Sequence, residues 1–463
     1  MAALDNQRIE VPGTVKFNVG GRLFETTLPT IQSGGLESLL SVLASTTAEW
    51  PTFIDRDPGI FSILLSLLRT NHLPASFSGN FTIRELVEEA SFYGIESILH
   101  SALSPPPLNG IDAAVSTVIS HRMRAPPSTF AVFDDSTDDR SLLIAHAGRI
   151  SAFDWSLSPA GTLRTHLDRI TSLSPVRSET TAIGSTDDPG LHFYNLATRR
   201  HAGSVYWTDP TDLRVQKAWI TAVSPSPAGT VFAGFESPHM ENCILAVDPI
   251  TLRPVAELER RSRSSARTMA PTKLRFLPES GVLMASAVSS GAFGYCGYVR
   301  ILDPRVGSVV WETAEPGSGR ASRYGDPLID ADADDDLRAI YKVCSKSGDV
   351  AFADLRKLGE GDPWVYLEEK NTNLRNCGSG QGSSICCYQR QVFVSRNGGE
   401  LEVWSGQSKW IGSHRRNLVD KLSPEKGLIV KMAGGSNRLF VSRQGLEGVE
   451  VWESKNGSGC IRC

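Results

Sequence analysis

The stretch Val15-Lys16-Phe17-Asn18-Val19-Gly20-Gly21-Arg22-Leu23-Phe24-Glu25-Thr26 reads as a tight hairpin. Val15, Phe17 and Val19 alternate with Lys16 and Asn18, and Gly20-Gly21 supplies the positive-φ residues that such a turn needs. Leu23 and the segment Phe24 to Thr27 form the return strand. Two further pieces follow in order. Phe53-Ile54-Asp55-Arg56-Asp57-Pro58 reads as a short strand leading into a helix, with Asp57 as cap and Pro58 in the first turn, where its missing N–H costs nothing. Phe61, Leu64, Leu65 and Leu68 recur at helical spacing and give that helix one apolar stripe. Thr82-Ile83-Arg84-Glu85 then has the form of a capping box. It opens a helix whose inner face is Leu86, Val87, Ala90 and Tyr93, with Gly94 as its stop.

Taken together, the N-V-G-G hairpin, F-I-D-R-D-P with its Leu-rich helix ending in Leu68-Arg69, and E-A-x-F-Y-G-I resemble the BTB/POZ fold of the potassium-channel tetramerisation (KCTD) type. Thr70-Asn71-His72 departs from that pattern, because the family usually places a glycine shortly after the arginine. The resemblance implies an α+β domain over 14–100 that self-associates into rings. In many KCTD-type proteins the ring docks on the N-terminal helices of cullin-3, through a face that includes the aromatic residue matching Phe92. Neighbouring residues on a helix point about 100° apart. With Tyr93 in line with Leu86 and Ala90, Phe92 is the aromatic expected to face outward. Arg56 and Asp57 are expected in a structural network or at a contact between subunits. Some domains of this type bind zinc at subunit contacts through His and Cys. This one has no cysteine, so no metal site of that kind is expected.

At 463 residues the chain predicts more than one domain. Its net charge of −4 offers no electrostatic footprint for nucleic acid. Residues 1–99 hold 6 Lys/Arg against 11 Asp/Glu, so the acidity sits in the N-terminal domain, which suits protein partners. The N-terminus lacks a basic-then-apolar leader pattern, and no apolar run approaches the roughly 20 residues needed to span a bilayer. A pore is therefore not expected. All eight cysteines lie beyond residue 242 at irregular spacing, which points to free thiols in a reducing compartment, cytoplasmic and/or nuclear.

Residues 101–127 read as a proline-rich linker containing a short helix over Ile111 to Arg124, ended by Pro126-Pro127. From 128 to 455 helical periodicity gives way to short apolar runs separated by turn residues. A strand end recurs at Asp154, Asn195, Asp248, Asp303, Asp354, Trp404 and Trp452, at intervals of 41, 53, 55, 51, 50 and 48 residues. Repeats of about 50 residues, each with room for four short strands, predict an all-β propeller of about seven blades. The region resembles a degenerate WD-repeat propeller lacking most of the Gly-His pairs. A pair of β-sandwiches is the structural alternative, and a merged or missing blade would give six or eight. Residues 456–463 read as a flexible tail. The fold class is thus multidomain, and the combination resembles a plant BTB/POZ family.

Chemistry is sparse. There is no G-x-S-x-G elbow, no phosphate-binding G-x-x-x-x-G-K-[ST] loop and no H-E-x-x-H pair. The nine histidines read as scattered surface or packing residues. Asp330-Ala331-Asp332-Ala333-Asp334-Asp335-Asp336 invites a calcium reading, but Asp335 and Tyr341 stand where an EF-hand needs glycine and glutamate. It is expected to be a solvated loop. Arg260 to Arg267 reads as an exposed basic, serine-rich insertion, with a nuclear address or a phosphorylation site as alternatives. Cys460-Ile461-Arg462-Cys463 makes a poor prenylation box and an incomplete metal or redox half-site. Cys377 and Cys386-Cys387 are expected to be ordinary thiols.

No catalytic residue, metal or cofactor is expected. The leading expectation is a non-catalytic substrate adaptor of a cullin-3 RING ubiquitin ligase, in which the BTB ring binds cullin-3 and the propeller binds the target protein. The alternative is an oligomeric non-ligase scaffold that gathers signalling or trafficking proteins. A propeller enzyme would need acid/base residues clustered at the channel mouth, and nothing in the sequence points to them.

Overall fold

The computed structural model describes residues 13–46, 51–74, 81–120, 125–133, 140–207, 217–238, 242–258, 269–291, 294–313, 327–345, 347–359, 362–367, 383–396, 399–406, 414–421 and 426–455. The Arg260–Arg267 insertion, Cys377 and the Cys460–Cys463 tail lie outside them. The described residues form two compact units, one ending at Ser104 and the other spanning Pro105–Lys455.

In the N-terminal unit, β1 (Thr14–Val19) pairs antiparallel with β2 (Arg22–Thr27) and parallel with β3 (Thr52–Ile54). Gly20 turns the hairpin at φ 52°. A Cβ there would meet the Arg56 carbonyl at 2.5 Å, so both the conformation and the space demand glycine. The helices are α1 (Leu28–Gln32), α2 (Leu39–Thr46), α3 (Pro58–Thr70), α4 (Ile83–Tyr93) and α5 (Glu96–Leu103). The Asp57 carboxylate accepts from the amides of Gly59 and Ile60 and caps α3. Thr82 and Glu85 close the predicted capping box of α4, and Gly94 ends that helix at φ 71°. At the C-terminus of α3 the missing glycine is replaced by Asn71, left-handed at φ 56°; asparagine is among the few residues that tolerate that region. Phe17, Phe24, Phe61 and Tyr93 meet in the core, with Phe61 at 4.9 Å from Phe24 and 5.3 Å from Tyr93. Among the described residues no helix is long and apolar enough to cross a membrane.

The second unit is a seven-bladed propeller. Four-stranded antiparallel sheets follow one another along the chain. The strand β4 (Ala113–Ser120) comes first and belongs to the last blade. Blade 1 is β5 (Thr129–Val132), β6 (Arg140–His146), β7 (Arg149–Asp154) and β8 (Pro159–Arg164); blade 2 is β9 (Ser172–Arg177), β10 (Thr180–Gly184), β11 (Leu191–Asn195) and β12 (Arg200–Val205). Blade 3 is β13 (Trp219–Pro225), β14 (Val231–Glu236), β15 (Cys243–Asp248) and β16 (Arg253–Leu258); blade 4 is β17 (Lys273–Leu277), β18 (Val282–Gly291), β19 (Gly294–Asp303) and β20 (Ser308–Glu312). Blade 5 is β21 (Leu328–Asp334), β22 (Ala339–Cys344), β23 (Val350–Asp354) and β24 (Val365–Tyr366); blade 6 is β25 (Ser384–Tyr388), β26 (Gln391–Arg396), β27 (Glu400–Gly406) and β28 (His414–Asp420). Blade 7 is β29 (Ile429–Gly435), β30 (Arg438–Arg443), β31 (Gly448–Ser454) and, returning from the start of the unit, β4. The first strands are neighbours around a ring, with β29 next to β5.

All seven sequence markers fall on third strands, and the structure explains the first five. Asp154, Asn195, Asp248, Asp303 and Asp354 each accept a backbone N–H from the turn that follows, those of Ser158, Thr198, Ile250, Arg305 and Arg356. They are turn-forming residues between the third and fourth strands. Trp404 and Trp452 are instead buried, Trp404 in the apolar layer between blades 5 and 6 and Trp452 in that between blades 6 and 7.

Two expectations are corrected. The helix predicted within Ile111–Arg124 is β4, paired along its length with β31. Val115, Val118 and Ile119 have helical spacing, but the open edge of β31 offers a full ladder of backbone partners, and that tertiary demand prevails over local pattern. The aspartate run is not a solvated loop through Asp334: it is β21, with Asp332 and Asp334 buried. Its period of two puts Ala331 and Ala333 into the core and the aspartates on the opposite face. The proline-rich segment before β4 lies against the propeller. Gln391 accepts from the Gly110 amide and donates to the Leu108 carbonyl, while Leu108 is buried between blades 6 and 7.

Candidate functional site

On the N-terminal unit, α4 is amphipathic because Leu86, Glu89, Ala90 and Tyr93 share its inner face. Tyr93 is fully buried. Phe92, one position back and therefore turned by about 100°, is 38% exposed. Its ring stands edge-on to Tyr93 at 5.1 Å, and the Arg56 guanidinium covers it at 3.9 Å from the centroid. The same guanidinium donates to the Glu89 carboxylate at 3.3 Å. Burial, and next the charge of Glu89, raises the Tyr93 phenol well above its ordinary value. Arg56 and Phe92 thus form one partly exposed platform, held from below by Glu89. Asp57 sits beside it, occupied by its capping bonds. Phe53 and Leu23 add exposed apolar area elsewhere on the same unit.

At the propeller axis the first strands carry charge. Asp332 on β21 accepts from Arg275 of β17 at 2.8 Å on both oxygens and from the Cys387 amide of β25 at 2.8 Å. Asp330 accepts from the Ile385 amide, and Lys273 stands 3.5 Å from Asp330 while donating to the Ile385 carbonyl. Burial opposes ionisation of Asp332, but Arg275 and then Lys273 outweigh it and hold the carboxyl below its usual range. For Asp330 burial prevails over Lys273 and the value rises. Lys431 on β29 donates to the Thr129 hydroxyl at 2.9 Å, and burial, helped by Lys273, lowers it to about 8. The aspartates with Arg275 and Lys273 knit blades 4, 5 and 6 together, and Lys431 ties blade 7 to blade 1. Cys386 and Cys387 lie beneath, and burial pushes the Cys386 thiol up to about 12, so it is no nucleophile at neutral pH.

A third grouping joins three histidines that stand far apart in sequence. His166, after β8, comes together with His192 on β11 and His201 on β12, and one ring nitrogen from each lies within 4.8 Å of the others. The rings meet edge-to-face at 4.8 Å (His166 and His192) and 5.0 Å (His166 and His201). His192 is buried, and burial, then the neighbouring His166 and His201, lowers it to about 4, which favours neutral imidazole. No sequence signal marks the cluster, because only blade geometry brings these positions together.

An outward aromatic platform on a BTB-type domain, joined in one chain to a closed propeller, defines a protein-interaction adaptor. Residues 15–102 match the BTB/POZ domain, and residues 130–454 match the family described as At2g24240-like, C-terminal beta propeller. The chain belongs to this family of BTB/POZ proteins with a C-terminal propeller. The Arabidopsis thaliana BTB/POZ domain-containing protein At5g41330 is 34% identical over 95% of this chain and 96% of its own length. At2g24240 of the same plant is 26% identical over 95% and 97%. Human BTB/POZ domain-containing protein KCTD3 is 36% identical over 24% of this chain and 14% of its own length. Among solved structures, Kuenenia stuttgartiensis hydrazine synthase aligns with a TM-score of 0.52 at 12% identity, over 73% of this chain and 98% of that one, a likeness of fold alone.

Proposed function

We propose that this adaptor serves a cullin-3 ubiquitin ligase: the BTB domain assembles into a ring and docks on cullin-3, and the propeller holds the protein to be ubiquitinated. The chain itself performs no chemistry in this reading. The observation that supports it is the position of Phe92, a partly exposed aromatic matching the family's docking residue, with the Arg56 guanidinium over its ring. Such Arg and aromatic pairs are typical anchors of protein interfaces. In this reading Arg56, part of the platform, and Asp57 beside it also meet a neighbouring subunit of the ring. Several propellers around one ring would raise target affinity, because each further contact becomes intramolecular. The buried cysteines Cys243, Cys344, Cys386 and Cys387 suit a reducing compartment, cytoplasm or nucleus.

The test is binding of the full-length chain to the N-terminal domain of cullin-3, wild type against Phe92→Asp, with oligomer mass measured by light scattering. Sub-micromolar binding that disappears in a variant of unchanged mass supports the adaptor. A well-folded oligomer that does not bind removes the ligase and leaves the non-ligase scaffold.

A further inference from the structure

We propose that His166, His192 and His201 form a site for a divalent transition-metal ion of the zinc class on blade 2, with a fourth position open to water or to a partner's side chain. Three imidazoles are a common zinc set when one coordination position is left free. Two of the rings, His166 and His201, are exposed, whereas His192 is 2% exposed and anchors the group from inside the blade.

The outer contacts match what a ligating histidine needs. The second nitrogen of such a residue is normally held by a polar partner, which fixes the tautomer and the ring plane. Here the Ser204 hydroxyl lies 2.8 Å from His192 Nδ1 and 2.9 Å from His201 Nε2, so one oxygen can accept from both rings. The Tyr194 hydroxyl is bonded to His166 Nδ1 and also accepts the His166 backbone N–H. What is left over is the telling atom. His192 Nε2 is buried and, with only the Pro189 backbone nearby, has no hydrogen-bond partner of good geometry among the described residues, a cost that proteins rarely carry without a ligand or water. Ligand nitrogens around tetrahedral zinc stand about 3.4 Å apart, given bonds of about 2.0 to 2.1 Å. The spread of up to 4.8 Å exceeds that by about 1.4 Å, which the two exposed rings would close by turning inward toward His192. An ion here would clip the connection between blades 1 and 2 to the outer strands of blade 2.

Full-length protein stripped with chelator and reduced is titrated with Co²⁺ and then Zn²⁺, and compared with His201→Ala and His166→Ala, whose exposed side chains can be removed without emptying the core. The expected result is one ion per chain, with visible Co²⁺ bands of tetrahedral or five-coordinate type and no intense sulfur charge transfer, and affinity at least tenfold weaker in each variant. Absence of stoichiometric binding, a thiolate spectrum, or binding unchanged in both variants overturns the site. Circular dichroism of the variants distinguishes loss of ligand from loss of fold.

Discussion

Arg56 lies over Phe92, its guanidinium carbon 3.9 Å from the ring centroid, and the same group is the hydrogen-bond partner of Glu89. Two residues from different elements, the loop before α3 and the last turn of α4, thereby share one exposed surface whose aromatic edge is fixed.

Arg56→Ala should lower the stability of the domain by about 1 to 2 kcal/mol, combining a lost cation–π contact with a nearly buried carboxylate left unpaired. In a Glu89→Gln background, where no charge is stranded, the cost should fall to roughly half. Urea denaturation of the four members of this cycle measures it, and an equal cost in both backgrounds would dismiss the coupling.

The axial network predicts a larger effect. Asp332→Ala leaves the Cys387 amide unpaired and the partly exposed Arg275 guanidinium with only the Cys387 carbonyl, and should cost about 2 to 3 kcal/mol. Asp332→Asn keeps an acceptor for the amide and should cost about 1 kcal/mol. Thermal unfolding of both variants gives the ranking, and Asn no better than Ala would mean that the charge alone matters.

Lys431 supplies a pH dependence. An unfolded lysine still binds its proton between pH 8 and 10.5, whereas the folded residue, lowered to about 8, has released it. The unfolded state therefore binds more protons in that window, and stability rises with pH across it. At pH 7 the folded protein carries the full burial penalty of the charged amine, so Lys431→Met should stabilise by about 1 to 2 kcal/mol there. The advantage should shrink as pH approaches 10, and an advantage independent of pH would contradict the assignment.

Closure of the ring can be tested by truncation. A fragment beginning at Pro105 keeps β4, and one beginning at Ala125 leaves β31 as an open edge. The first should be monodisperse and unfold cooperatively. The second should melt lower and aggregate, as an unpaired edge strand does. Equal behaviour of the two in size-exclusion and thermal scans would show that β4 is dispensable.

Much of this architecture was legible because it is local. The cap at Asp57, the box at Thr82 and Glu85, the glycine turns and the outward rotation of Phe92 against Tyr93 depend on residues a few positions apart. The turn aspartates marked the third strands for the same reason. What escaped depends on partners far along the chain. β4 looks helical until β31 is placed beside it. Asp330 and Asp332 look solvated until Arg275 and Lys273 arrive from another blade. His166, His192 and His201 look scattered until two blades are assembled.

The seam between β4 and β31 also sets a clock for synthesis. Ser116 bonds the carbonyl of Val451, 335 residues later, and at about 5 to 20 residues per second a ribosome needs roughly 15 to 70 seconds to make that span. The N-terminal domain can be complete long before then, while β4 emerges early and waits with both edges bare until the last blade is translated. The propeller is therefore a structure whose first strand finds its place last, and a nascent chain stalled before β31 exposes the edge most in need of a chaperone.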